Sequence, residues 1–185
     1  FAQTAMLGIV SDTLRFKYQN PLHRETFKII SELIDAGANI EELENRLERY
    51  TLPQLHALQE LLNNFNIQED HTYSFITDTF AESWQEGGKS IDDLKSACEI
   101  FVNQYSRNTE DKNWGYIVYQ ELASDKDSYA VSFRSVSGGV DVSAIARQLG
   151  GGGHKPAAGA KLSAETIEEA MQKVEQAINQ LRARL

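Results

Sequence analysis

Four consecutive glycines at positions 150–153 open a segment that continues as His-Lys-Pro-Ala-Ala-Gly. They follow residues 142–149, whose apolar positions have the spacing of a short amphipathic helix. Because glycine has no Cβ, its backbone reaches positive φ and several N–H groups can point at one anion. His154 and Lys155 add charge or hydrogen bonds beside them. The segment predicts an anion or nucleotide site, and a flexible linker is the alternative.

The composition is typical of a soluble globular chain. Of its 185 residues, 41% are hydrophobic and 24% charged, and no apolar run approaches the ~18 residues of a membrane span. The start is not a basic segment followed by an apolar one, so no secretory signal is expected. Cys98 lies in an apolar helical pattern, which favours a small buried hydrophobe over a nucleophile. We therefore expect a cytoplasmic protein without a membrane partner.

The net charge of −9 restricts the anionic partners of this chain. Long duplex binding needs a basic stripe that displaces counterions from many phosphates, which an acidic protein does not offer. A small anionic substrate needs only one positive spot. Arg134, His154 and Lys155 are candidates for such a spot.

The first third of the sequence has helical periodicity. An apolar segment at residues 1–10 ends in a polar turn, and Asn20 and Pro21 form a cap and first-turn pair for a helix that continues to about residue 36. Asn39 caps the next helix, and a further helix follows residues 51–53. The chain opens on Phe1 as if inside an element, so we expect a piece of a longer protein.

The remaining sequence mixes strands and helices. A period near two begins at Tyr73, and the aromatic and β-branched runs 114–122 and 129–134 predict a hairpin around the polar turn 124–127. Three helices are also predicted, two of them with capping boxes. These are the helix after Ser90 and Asp93, the short helix at 142–149, and the last helix after Thr166 and Glu169.

This pattern predicts an α/β fold of mixed α+β type, with a domain boundary where the helical periodicity ends. The predicted parts are a mostly helical segment at residues 1–66, a linker at 67–72 and a second domain at 73–185. The second domain is expected to contain a mixed sheet flanked by helices.

Two other places offer residues for chemistry. Asp12 follows an apolar segment, between Ser11 and Thr13, where it could be a metal ligand or simply form an Asx turn or cap. Arg134 and Ser135 end a predicted strand just before a glycine turn. The guanidinium group suits phosphate recognition or stacking on a base, and a solvated arginine is the alternative.

Two distant stretches of the chain point to one known family. Residues 7–16 (Leu-Gly-Ile-Val-Ser-Asp-Thr-Leu-Arg-Phe) come first, and residues 133–135, 141–146 and 150–159 follow near the end. Together they resemble the DHH phosphoesterase family, in the branch with a DHH-associated C-terminal domain that includes nanoRNase and pAp phosphatase enzymes. The first stretch resembles the family's fourth metal motif, although Leu14 replaces the glycine of many relatives. The later ones resemble substrate-binding segments of the associated domain.

The resemblance spans the whole chain and implies two parts with different roles. Residues 1–66 would be the helical tail of a DHH domain, and 73–185 the DHH-associated domain. Asp12 would be one ligand of a two-manganese centre that activates water at the scissile phosphate. The distal phosphate or terminal nucleotide would be held by Arg134, Ser135, His154 and the backbone amides of Gly151, Gly152 and Gly153.

The implied enzyme is a cytoplasmic hydrolase of short single-stranded oligoribonucleotides or pAp-like nucleotides, and the resemblance leaves room for a homodimer. The Asp-His-His motif that names the family is absent from this sequence, so we expect residues 1–185 by themselves to be inactive.

Other specificities within the family remain open. They are a cyclic or linear dinucleotide phosphodiesterase, a RecJ-like single-strand exonuclease and an exopolyphosphatase-like enzyme. Outside catalysis, the alternatives are a nucleic-acid-binding module like the one that accompanies alanyl-tRNA synthetases, and an interaction domain whose glycine segment is only a turn.

Overall fold

The computed structural model describes residues 1–13, 15–17, 22–123 and 127–183. Leu14, Asn20 and Pro21, and most of the predicted turn at 124–127, lie outside these ranges. The chain separates into a first unit, residues 1–50, and a second unit, residues 51–185. Among the described residues, no helix is both long and apolar enough to cross a membrane.

The first unit is helical, as the periodicity predicts. Its described helices are α1 (Ala2–Asp12), α2 (His23–Asp35) and α3 (Ile40–Leu47). The small core is formed by Met6 and Val10 of α1 together with Ala38 and Leu43. The predicted cap at Asn39 is confirmed, because its side chain accepts a hydrogen bond from the backbone N–H of Glu42 at 2.9 Å.

The second unit contains a six-stranded mixed sheet flanked by helices, which confirms the predicted fold class. Its strands follow the order β1-β2-β3-β4-β6-β5, and only the β2–β3 pair is parallel. The elements in chain order are α4 (Leu52–Asn63), β1 (Asn66–Ile67), β2 (Thr72–Phe75), α5 (Asp78–Glu86), α6 (Ile91–Gln104), a 3₁₀ turn (Ser106–Asn108), β3 (Trp114–Gln120), β4 (Ser128–Ser135), α7 (Val142–Gln148), β5 (Gly152–His154), β6 (Ala157–Ser163) and α8 (Ile167–Arg182).

The structure divides the chain earlier than the sequence pattern suggests. Helix α4 begins the second unit, with a complete capping box between Thr51 and Gln54. It buries Ala57 and Leu61 in one core with residues of α6. The expected linker at 67–72 instead joins β1 to β2 in an antiparallel pair. Local periodicity could not show this, because the division depends on which distant helix covers the apolar side of α4.

Both faces of the sheet are packed around β3. Its alternate residues Trp114, Tyr116 and Val118 join a core with α7 and α8, whereas Ile117 joins the core formed with α4, α5 and α6. Strand β3 is largely buried on both faces and has a nearly continuous apolar sequence, whereas β4 alternates between buried and partly exposed residues; both patterns are typical of strands. The two strands pair antiparallel from Trp114 opposite Ser135 to Gln120 opposite Tyr129.

The predicted helix caps differ in detail from those observed. Ser90 makes no side-chain cap, and the carboxylate of Asp93 accepts a hydrogen bond from the Thr51 hydroxyl at 2.9 Å instead. Thr166 does accept a hydrogen bond from the backbone N–H of Glu169. The Glu169 carboxylate, however, accepts from the N–H of Glu165. The Asp93 carboxylate is thus bonded to Thr51, and the Glu169 carboxylate to the Glu165 amide, so neither carboxylate completes a capping box.

The glycine run forms a helix end and the first arm of a hairpin. Gly150 has a φ of 76°, and its N–H donates to Arg147 O while the N–H of Gly151 donates to Ala146 O. This pair of hydrogen bonds is the Schellman motif that closes α7. Strand β5 then pairs antiparallel with β6 across the two-residue turn Lys155-Pro156. The run is therefore structured, and the amides of Gly150 and Gly151 already have acceptors.

The glycines at 151 and 152 differ sharply in the space around them. A Cβ at Gly151 would collide with Gly159 O and lie 2.6 Å from the Cβ of Ala160. A Cβ at Gly152 would meet no atom within 4 Å. The first glycine lets β6 approach, whereas the second has open space above it.

We expect Gly151→Ala to lower the free energy of unfolding of the second unit by about 1–3 kcal/mol, because the backbone of β6 must move. Gly152→Ala is the matched control and should stay within about 0.5 kcal/mol of the parent. Both tryptophans, Trp84 and Trp114, lie in the second unit, so urea denaturation followed by tryptophan fluorescence measures it. Equal losses for both variants would contradict the geometry.

His71 is buried at the start of β2. Its ring stacks on Trp114 at a centroid distance of 4.5 Å, and its Nδ1 lies 2.7 Å from a carboxylate oxygen of Asp70. Asp70 is also paired with Arg182 of α8. Burial lowers the pKa of His71, and this effect exceeds the opposing effect of its hydrogen bond to Asp70. The folded protein therefore favours the neutral imidazole.

Since the folded pKa of His71 lies below its unfolded value of about 6.5, its contribution to stability is present above pH 6.5 and is lost as the pH falls. The pKa of Asp70 is also lowered from its unfolded value of 3.8, but the stability that this carboxyl group contributes is lost mainly at more acidic pH. We expect the free energy of unfolding to fall between pH 7 and pH 5, and His71→Gln to flatten this dependence. An unchanged pH profile in the variant would refute the assignment to His71.

Candidate functional site

Strand register brings Arg134 and His154 to the same level of the sheet. Arg134 of β4 is opposite Ala157 of β6, and Ala157 is opposite His154 of β5. Directly opposed residues of antiparallel strands project from the same face. Arg134 and His154 thus flank Ala157 on one face, with two strand spacings, or about 10 Å, between their backbones.

A second row on this face consists of small residues. Ser132 is opposite Gly159, and Gly159 is opposite Gly152. Gly152 and His154 are exposed, and the others are partly exposed. Among the described residues of β5 and β6, none belongs to the core formed with α4, α5 and α6. We call this surface the open face: Ser132, Arg134, Gly152, His154, Ala157 and Gly159.

Arg134 is held in place by helix α6. Its Nη2 donates to the Glu99 carboxylate at 2.7 Å, and its Nε donates to Asn103 Oδ1 at 3.2 Å. Its Nη1 donates to the carbonyl oxygen of Phe133 at 3.0 Å. Only 17% of the arginine side chain is exposed, so the guanidinium group has a defined orientation at the edge of the open face.

Other charged and polar groups surround the small floor. At the end of the face away from Arg134, Lys161 pairs with Glu121 at 2.8 Å. Burial raises the pKa of the Tyr119 phenol above its ordinary range. That phenol is therefore neutral. Lys155 is exposed at the hairpin tip, next to His154.

Ser135 is not on the open face. Successive residues of a strand alternate between faces, so Ser135 lies on the α7 and α8 side, where it is fully buried. Its hydroxyl contacts the carbonyl oxygens of Asn113 at 3.2 Å and Val136 at 3.3 Å. The structure therefore separates Arg134 from Ser135, although the two are adjacent in sequence.

The three glycines of the predicted site do not all lie on the open face. Gly152 lies on the open face, whereas Gly153 is opposite Ala158 and belongs to the other face. The amide of Gly151 is bonded to Ala146 O at 2.9 Å. Of the predicted substrate-binding residues, Arg134, Gly152 and His154 are brought together. The Gly151 amide already has an intramolecular acceptor, so it does not join the set of ligand-binding glycine amides expected from the sequence.

Asp12 is the last residue of α1 and is exposed, within the first unit. In the part of the chain that the structure describes, no three His, Cys, Asp or Glu side chains gather closely enough to hold a metal ion. One carboxylate does not hold a pair of manganese ions, since each ion needs several ligands. The described residues thus do not fit the implied metal centre.

Sequence reasoning missed several residues around the site. Ser132 could have been found, because it lies two positions before Arg134 in a strand and so shares its face. Ala157 and Gly159 lie in the predicted segment 150–159, but strand β6 was not predicted, since it is too poor in large residues to show alternation. Glu99 and Asn103 are four apart on one helix, but only the packing of α6 on β4 shows that they contact Arg134.

The arrangement suits binding. The guanidinium group of Arg134 on one side of Ala157 can donate to a phosphate oxygen, and His154 can donate on the other side. The floor of alanine and glycine leaves room for a flat ring between them. These are the elements needed to hold an anionic ligand with a planar group.

Residues 89–180 match the DHHA1 domain family, and this range includes Arg134, the glycine run and α6. The chain is 28% identical over 179 residues to the bifunctional oligoribonuclease and PAP phosphatase NrnA of Thermus thermophilus, covering 97% of this chain and 50% of that protein. It is 32% identical over 165 residues to the NrnA of Mycoplasma pneumoniae, covering 89% and 46%. The chain thus spans about half the length of these curated relatives.

The fold is similar to that of an exopolyphosphatase-related protein from Bacteroides fragilis. The TM-score is 0.75 at 23% sequence identity, over 97% of this chain and 49% of the other. The domain match and the relatives agree with the resemblance carried by residues 7–16 and 133–159. The expected resemblance to the DHH phosphoesterase family is confirmed, and residues 89–180 correspond to the DHHA1 domain.

Proposed function

We propose that the second unit is the substrate-holding part of a phosphoesterase that acts on short oligoribonucleotides or pAp-like nucleotides. The observation that carries the proposal is the shared face of Arg134 and His154, with a floor of Ala157, Gly159 and Gly152 between them. Arg134 would bind a phosphate, and the floor would accept a base or ribose.

The electrostatics of the chain support a short ligand. The protein carries a net charge of −9, yet Arg134, His154 and Lys155 lie at one end of the open face. One such positive spot suffices for one or two phosphates, whereas a long strand needs a basic track. The relatives are named for oligoribonucleotide and PAP substrates, which are ligands of this kind.

The whole enzyme would hydrolyse its substrate with two manganese ions, as the family resemblance implies. Asp12 would be one ligand, and the described residues supply no further part of that centre. We assign no catalytic step to this chain. Its proposed contribution to the reaction is to hold the substrate.

We expect Arg134→Ala to weaken binding of a 5′-phosphorylated diribonucleotide by about 1.5–3 kcal/mol, or roughly 10- to 150-fold in Kd, because a charge-assisted hydrogen bond is lost. Isothermal titration calorimetry measures this, and His154→Ala should weaken binding in the same direction. Arg147→Ala is the matched control. It removes the same charge from an exposed position on α7, which packs on the other face, and should leave Kd unchanged.

Equal losses for Arg134→Ala and Arg147→Ala would mean that only net charge matters and would refute a specific site. Tripolyphosphate and a cyclic dinucleotide are titrated separately in the same way. Binding of either of them, without binding of the diribonucleotide, would replace the proposed substrate with that alternative.

We also expect residues 1–185 alone to show no hydrolysis of the diribonucleotide in the presence of Mn²⁺, since the described residues form no metal cluster. Chromatography of the products against a mock preparation provides the measurement. Turnover that disappears in Asp12→Asn but persists in Asp35→Asn would show that Asp12 takes part in an active metal site, contrary to this expectation.

A further inference from the structure

The guanidinium group of Arg134 lies in a closed hydrogen-bond network with Glu99 and Asn103. The same Glu99 oxygen that accepts from Arg134 Nη2 also accepts from Asn103 Nδ2 at 3.1 Å. Asn103 Oδ1 accepts from Arg134 Nε, which completes the ring. Glu99 and Asn103 are four residues apart on α6, so they project from the same side of that helix.

This network leaves part of the guanidinium group available. An arginine has five N–H donors, one on Nε and two on each terminal nitrogen. Glu99, Asn103 and the Phe133 carbonyl use one donor on each nitrogen of Arg134. Within the part of the chain that the structure describes, one N–H on Nη1 and one on Nη2 therefore remain for a ligand.

A ligand on those donors would share the arginine with a carboxylate. Glu99 lies 2.7 Å from Nη2, so a phosphate on the same nitrogen would be within about 5–6 Å of its negative charge. Half of the Glu99 side chain is exposed, so the repulsion is weakened by solvent but not abolished. It would increase with each negative charge on the phosphate.

We propose that Glu99 makes the Arg134 position selective for a singly charged phosphodiester over a doubly charged terminal phosphate. The inference rests on the proposed function, since it requires that Arg134 bind a phosphate. Asn103 would be a positioning residue, because its amide connects the carboxylate to the guanidinium group. The site would then favour an internal linkage of an oligoribonucleotide at Arg134. This narrows the proposed function to oligoribonucleotides, because the phosphates of pAp-like nucleotides are all terminal.

The test compares adenosine 5′-phosphate with its methyl phosphate ester. The two ligands share the nucleoside and the phosphate position but differ by up to one charge at pH 7.5. Kd values for both are measured by calorimetry with the parent protein and with Glu99→Gln, which keeps an oxygen that can accept from Arg134. Glu82→Gln makes the same charge change on the exposed side of α5 and serves as the control.

We expect Glu99→Gln to tighten binding of adenosine 5′-phosphate by about tenfold more than binding of the ester, the scale of one added charge at this distance. The difference should shrink at 0.5 M salt, because the Debye length falls to a few ångströms. If Glu99 had only a structural role, its substitution would change the Kd of both ligands equally, and salt would not alter the difference between the two Kd values.

Equal changes in the two Kd values, or a loss of affinity for both, would overturn the selectivity of Glu99. The Arg134→Ala variant distinguishes failure of the selectivity proposed for Glu99 from failure of the proposed function. If Arg134→Ala weakens both ligands while Glu99→Gln does not discriminate between them, only the present inference fails. If Arg134→Ala changes neither, the phosphate site itself is refuted.

Discussion

The close approach of the glycine run to β6 is the constraint on which the candidate site depends. Gly151 has no room for a Cβ against Gly159 and Ala160, and Gly153 has a φ of 139° that L side chains rarely adopt. The chain can therefore leave the end of α7 and enter β5 immediately. That sets the register in which His154 lies level with Arg134. A bulkier segment would have to separate β5 from β6.

A protein with a net negative charge can bind a phosphate if the positive potential is confined to a small part of its surface. Here α6 orients Arg134 through Glu99 and Asn103, and the same carboxylate partly neutralises it. Glu99 and Asn103 thus orient the guanidinium group of Arg134, and Glu99 also reduces its positive charge. This arrangement differs from a basic track, which gains affinity by displacing many counterions and discriminates little between ligands.

Elements with strong local periodicity could be predicted from the sequence. The helices of the first unit, β2, and the β3–β4 pair carry large apolar residues at regular spacing, and the structure contains them. Helix α5 and strands β1, β5 and β6 were missed because each is short or built from small residues. The site was partly predictable for the same reason. Arg134 and His154 have distinctive chemistry, whereas Ala157 and Gly159 act only as a floor.

The sequence by itself determined the fold class, the family resemblance and the residue types of the candidate site, since these depend on local patterns and motifs. The sequence analysis placed Arg134 and Ser135 in one site, and the structure separates them, because successive strand residues alternate between faces. Tertiary structure decided where the second unit begins, which glycine faces the ligand side, and that Glu99 and Asn103 hold Arg134. Those outcomes follow from contacts between residues far apart in the chain, and no local pattern encodes the strand order or the helix that covers each face.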